Sequence, residues 1–134
     1  MRIGIINASA QRRSTPDYVL ALAKGMQSMG HTVDIVDART DDGMKLPGCD
    51  YIAIATEPLS FFSAKISDII PKILASRGIG GKKSAAFVKK AGLRSGKVLF
   101  NLMTAMEKEG MLVNWSEVLL SAPHAEAMGK RIGA

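Results

Sequence analysis

The chain has 134 residues, a length that fits one domain. Hydrophobic residues make up 47% and charged residues 22%, close to the globular average, which excludes a disordered or fibrous chain. The formal net charge is +6, and a single cysteine, Cys49, excludes an intramolecular disulfide, a cysteine-rich zinc site and a cysteine-held iron–sulfur cluster.

In chain order, Arg2 to Ala8 opens as a short strand rich in Ile. Val19, Leu22, Met26 and Met29 then recur at helical spacing, and Gly30 supplies the stop. Thr32 to Ala38 is a second strand. Thr40 to Asp50, with Asp41, Asp42, Gly43, Pro47 and Gly48, reads as an irregular connection in which a helix is absent or very short. Cys49 within it reads as a small packing residue. Tyr51 to Thr56 is a third strand. The stripe Ile66, Ile69, Ile70, Ile73 and Leu74 predicts a helix that Pro71 either kinks or makes restart near Ser67. Ser84 to Val88 is a fourth strand, Val98, Leu102 and Met106 mark a helix ended by Gly110, and Met111 to Trp115 is a fifth strand. Trp115 belongs either to the core or to a dimer contact. Most strands read as buried on both faces.

This alternation builds a three-layer α/β fold: a doubly wound, five-stranded parallel sheet of order 2-1-3-4-5 with helices on both faces. In such sheets ligands bind beyond the C-terminal strand ends where the winding reverses, here between strands one and three. That singles out the loops at residues 8–16, 57–63 and 89–96. No charge-free stretch exceeds nine residues, too short for a spanning helix, and a signal h-region needs a contiguous apolar run, so the expected location is the cytoplasm with no membrane association.

Residues 1–60 hold six Lys/Arg and seven Asp/Glu, whereas 61–134 hold twelve and five. The basic character therefore belongs to the second half. No basic run is interleaved with aromatics, which argues against nucleic acid as a partner and leaves an anionic small molecule or an acidic protein.

The first loop offers Ser9, Gln11, Arg12, Arg13, Ser14 and Thr15 ahead of Pro16 and an amphipathic helix. Ser14 or Thr15 can cap that helix, whose unpaired N–H groups and positive dipole end would hold a phosphate. The same residues also suit a cap with no ligand. Glycines required by a Walker loop or a dinucleotide fingerprint are missing. In the second loop Leu59 or Phe61 either stacks on a planar ligand or packs in the core beside Phe62. In the third, Ala91, Gly92 and Leu93 allow backbone to approach a flat ring, and Ser95 can cap the next helix. His31 and His124 fit surface or capping roles better than that of a catalytic base, and no Gly-x-Ser-x-Gly elbow is present.

The order of parts resembles the flavodoxin-like superfamily, and within it the NAD(P)H-dependent FMN reductases, over nearly the whole chain. Ala8-Ser9 and Ser14-Thr15 are similar to that branch's phosphate loop, and Pro58, Lys65 and Asp68 to its proline-bearing loop and following helix. The lysine-bounded fourth strand matches as well, and Met128-Gly129-Lys130-Arg131 is similar to a closing Leu-Gly-Lys-Arg. The resemblance implies FMN as cofactor, with Ser9, Gln11, Arg12, Ser14 and Thr15 around its phosphate. It places Pro58, Leu59, Ser60 and Phe61 on one side of the isoalloxazine and Ala91, Gly92 and Leu93 on the other. It implies electron transfer or NAD(P)H-dependent flavin or quinone reduction, a nicotinamide donor or redox partner protein, and a homodimer, with no protein acid–base pair and no metal. A basic site stabilises anionic reduced flavin, which argues against a low-potential carrier. The alternative is a flavodoxin-fold module that has lost flavin and binds a protein partner or another phosphorylated ligand.

Overall fold

The computed structural model describes residues 1–10, 14–75 and 78–132. Five strands, β1 (Arg2–Asn7), β2 (Thr32–Asp37), β3 (Tyr51–Thr56), β4 (Lys83–Lys89) and β5 (Leu112–Leu119), alternate with helices α1 (Asp17–Ser28), α2 (Ile69–Ala75), α3 (Ser95–Lys108) and α4 (Ala122–Gly129). All neighbouring strands are parallel, and their order is β2-β1-β3-β4-β5, as the alternation predicts. The connection after β2 contains only a 3-10 turn, Leu46–Gly48.

Period-two alternation in the central strands feeds two cores. Ile6, Ile52, Ile54, Ala86 and Val88 face one side and pack with Ile70, Leu74, Val98 and Leu102 of α2 and α3. Ile3, Ile5, Ala53, Ala55, Ala85 and Phe87 face the other and pack with Val19, Leu22, Met26 and Ala125 of α1 and α4. Burial on both faces holds for β1, β3 and β4. The edge strands β2 and β5 are largely half-buried or exposed, because each lacks one neighbour. Met29 is also not core: it follows α1 as its capping residue and is exposed, one step past the last full turn of the apolar stripe.

One strand boundary differs from the sequence reading. β5 runs four residues past Trp115, to Leu119. Its register slips between Ser84 and Ala85, which pair with Val113 and Trp115, so Asn114 has no partner on β4 and the inside–outside pattern changes phase there. At Pro71 the second of the two sequence readings holds: there is no kink, and the helix starts near Ser67. α2 is seven residues and begins at Ile69, after Ser67, with Pro71 in the first turn where no amide donor is needed. Cys49 is buried against Gly4, where an added Cβ would stand 3.0 Å from its Sγ.

α1 and α4 cross at glycines. A Cβ on Gly25 would lie 2.1 Å from the Glu126 carbonyl oxygen, and one on Gly129 would lie 2.3 Å from the Leu22 carbonyl oxygen. Backbone therefore packs on backbone. Trp115 is half-buried against this same core, with the Arg131 guanidinium carbon 4.9 Å from its ring centroid.

Candidate functional site

The C-terminal ends of β1, β3 and β4 bring the three predicted loops to one edge of the sheet. Backbone and short side chains pin the first. Ala8 N–H donates to the Ala55 carbonyl (2.9 Å), the Thr56 hydroxyl donates to the Ala8 carbonyl (3.1 Å), and Ser9 N–H donates to Asn7 Oδ1 (3.1 Å). Ser9 is buried, Ser14 exposed and Thr15 half-buried. Gln11, Arg12 and Arg13 lie outside the described residues.

Neither Ser14 nor Thr15 caps α1. The N-cap is Pro16, in an extended conformation (φ −57°, ψ 149°), whose carbonyl accepts from Val19 and Leu20 N–H. A proline can hold that position by conformation alone and offers no side-chain acceptor, so the helix starts without a side-chain cap. Ser95 likewise is not an N-cap. It is the first residue of α3 and its hydroxyl bonds both the amide (3.0 Å) and the carbonyl (2.9 Å) of Ala91, closing the third loop on itself.

Three residues that carried no site assignment in the sequence organise the first loop. The Glu57 carboxylate, just past β3, accepts from the Ser9 hydroxyl (2.8 Å) and Ala10 N–H (2.7 Å) through Oε1, and from the Tyr18 hydroxyl (2.6 Å) through Oε2. The Arg39 guanidinium, arriving from the loop after β2, donates to the Ser9 carbonyl. Burial, reinforced by the hydrogen bond to Glu57 and its charge, pushes the Tyr18 hydroxyl well above the ordinary phenol range. It therefore stays protonated and donating at neutral pH. Each contact joins residues 30 to 48 positions apart, so no local spacing announces it.

The second and third loops touch. Leu93 N–H donates to the Phe61 carbonyl at 3.0 Å, and Asn101 of α3 ties Ala64 with a 2.7 Å bond. Pro58 is buried, Ser60 and Ala91 exposed, and Gly92 half-buried. Leu59, Phe61 and Leu93 are 52%, 57% and 70% exposed, an apolar group presented to solvent at the mouth of the loops. Phe61 and Phe62 meet edge to face with centroids 4.9 Å apart, but both are exposed, so neither is a core residue. These exposed apolar side chains are of a kind that can contact either a planar ring or a protein surface. A dianionic phosphate does not fit the Ser9 and Ala10 donors as they stand, because Glu57 already holds them.

A separate cleft of about 430 Å³ lies at the opposite end of the sheet, against Asp50, Tyr51, Lys83, Asn114 and Arg131, and shares no residue with the three loops. Among the described residues no group of three or more His, Cys, Asp or Glu can hold a metal ion, and no helix is long and apolar enough to cross a membrane. His124 plays a structural part, its Nδ1 accepting from Leu120 N–H at 3.0 Å.

No protein-family model and no curated protein matches the sequence. Solved structures do. A two-electron reduced flavodoxin from Megasphaera elsdenii superposes with a TM-score of 0.79 at 16% identity, covering 96% of each chain. A flavodoxin from Streptococcus pneumoniae TIGR4 gives 0.73 at 16% identity, covering 97% of this chain and 96% of that one. A WrbA-like flavodoxin from Agrobacterium tumefaciens gives 0.71 at 18% identity, covering 98% and 94%. Strand order, the helices on both faces and the extent of these superpositions together show that the chain has the flavodoxin-like fold.

Proposed function

We propose that the chain is a flavin-binding redox protein, acting in electron transfer or in NAD(P)H-dependent reduction of a flavin or quinone, with FMN the flavin to test first. One observation carries the reading. At the end of the sheet where this fold class takes its ligands, two mutually bonded loops present Leu59, Phe61 and Leu93 to solvent beside a loop rich in hydroxyls and amides. Exposed apolar side chains grouped on tethered loops are the kind of surface that a ligand or a partner covers. A bound flavin would supply the electron chemistry. The protein's part is to hold the ring against the apolar cluster, keep water from that face, and set the charge around it. The basic balance of the second half, which supplies α3 and the third loop, favours an anionic reduced state.

A second reading is favoured by the Glu57 contacts and the Leu93–Phe61 bond, which close the polar and apolar parts of the site with the protein's own groups. Under it the apolar cluster is a surface for a protein partner. Titrating the purified protein into FMN separates the two. Quenching of flavin fluorescence with a shift in its visible absorption is the expected result. An unchanged spectrum at tens of micromolar protein would overturn the flavin reading and leave the second.

A further inference from the structure

We propose that the mouth of the second and third loops is a docking surface for an acidic protein, with Phe61, Phe62 and Leu93 as its apolar centre and Lys90, Arg94 and Lys97 as its cationic rim. The inference goes beyond the flavin reading and does not depend on it, because it concerns the protein's own side chains around these loops.

The apolar centre is assembled from two loops. Phe61 and Phe62 meet edge to face, and the Leu93 amide donates to the Phe61 carbonyl at 3.0 Å, so the three residues form one patch whose side chains are more than half exposed. The loops beneath are tied as well, by the 2.7 Å bond from Asn101 to the Ala64 carbonyl and by the Ser95 hydroxyl, which closes on Ala91. A patch held in one shape suits a protein surface of matching relief, because little ordering remains to be done on contact. A contact with a membrane surface calls instead for a helix with a broad apolar face. The neighbouring helix α3 has no such face: beside Phe100 it exposes Lys97, Thr104, Glu107 and Lys108.

The charge around the patch is of one sign. Lys90 and Arg94 flank Leu93 in the third loop, and Lys97 follows in the first turn of α3, 4.9 Å from the Phe100 ring centroid. All three are exposed, and among the described residues none of them makes an ion pair. Residues 89–106 hold four Lys/Arg and no acid, and residues 58–67 add Lys65, again with no acid. The acids bordering these stretches are two. Glu57 is turned to Ser9, Ala10 and Tyr18, and Asp68 lies past Lys65 at the approach to α2. Such a face repels a second copy of itself and attracts an acidic one, which speeds encounter and selects the partner. An apolar centre inside a charged rim is the anatomy of a protein interface.

The probe is a rhodamine-labelled peptide of Glu, Asp and Leu, followed by anisotropy on the full chain without flavin, beside a peptide with Lys in place of the acids. The wild type should bind the acidic peptide and not the basic one. Lys90→Glu with Arg94→Glu should weaken that binding about tenfold. Lys108→Glu with Lys130→Glu makes the same change in net charge where α3 and α4 end, at the other end of the sheet, and should leave it within about twofold. Leu93→Ser, at an exposed side chain, should weaken it about threefold. A wild type that does not bind the acidic peptide overturns the proposal, and so do equal losses in the two charge-reversed pairs or no effect of Leu93→Ser. If the Lys90, Arg94 pair does not fold, Leu93→Ser decides. Binding to vesicles of phosphatidylcholine and phosphatidylserine without binding to the acidic peptide would assign the face to lipid and overturn the proposal. A wild-type dimer in sedimentation that Leu93→Ser dissolves would assign it to a second copy, with the same consequence. The flavin reading is judged separately by the spectrum of added FMN, so either can fail without the other.

Discussion

Single side chains and single glycines set the site's geometry. Gly92 sits in the left-handed region (φ +65°), and a Cβ there would lie 2.4 Å from the Phe61 carbonyl oxygen, which Leu93 N–H already engages. Gly92→Ala therefore meets both backbone strain and a clash with main chain that no rotamer can relieve. It should lower stability by about 1–3 kcal/mol in urea unfolding and expose the Leu93 amide to faster hydrogen exchange. The importance of Gly92 was legible, since a glycine in a strand-to-helix turn at the ligand end of the sheet invites that reading. Glu57 was not. An acid just past a buried strand carries no local signature, and its three partners reach it only after β1, β3 and α1 have assembled. Ser14 and Thr15 show the converse limit. Their chemistry suits a cap, but the extended conformation of Pro16 starts the helix without them.

Secondary-structure elements were more readable where burial is complete. β1, β3 and β4 carry apolar residues at both parities because helices cover both faces, and a short doubly apolar run is a strong strand signal. β5 lost that clarity past Trp115, where the unpaired Asn114 changes the phase of the pattern and the outer edge tolerates Ser116 and Glu117. The pairing of α1 with α4 is written in two glycines that periodicity alone does not single out. Gly25 and Gly129 let the helices approach until carbonyl oxygens stand where side chains would be. Gly129→Ala must push α4 off α1 or bend it, opening contacts among Leu22, Met26 and Ala125. The expected loss is about 2–4 kcal/mol, read as a lower urea midpoint with an unchanged slope. An unaffected midpoint would mean that the crossing is looser than this packing requires.

Over the whole molecule, the two tyrosines couple stability to alkaline pH. Burial raises the Tyr18 hydroxyl, with help from Glu57, and burial raises Tyr51, whose hydroxyl donates to Asn114 Oδ1. In the unfolded chain both ionise near pH 10, so above that the unfolded state releases protons that the folded state keeps. Stability should be flat with respect to these groups below about pH 9 and fall as pH rises beyond 10. Urea midpoints from pH 8 to 11 measure it, and Tyr18→Phe should flatten part of the slope. If the slope survives in a variant lacking both hydroxyls, other groups drive it. The layered architecture follows from alternation, since parallel neighbours require crossovers, whereas the order 2-1-3-4-5 is one of the known doubly wound orders, the one expected for five strands in a chain of this length. How three loops from different strands share hydrogen bonds is a property of the assembled molecule.

The unpaired Asn114 bears on how these molecules behave in a crowd. β5 is an outermost strand, and a regular outermost strand is a template on which a second polypeptide can add itself, rung by rung. Here the step at residue 114 breaks the spacing of the rungs midway, so an incoming strand in register with Val113 falls out of register by Trp115. The irregularity that obscured this strand in the sequence thus also guards the protein against growing into a continuous ribbon with its own kind.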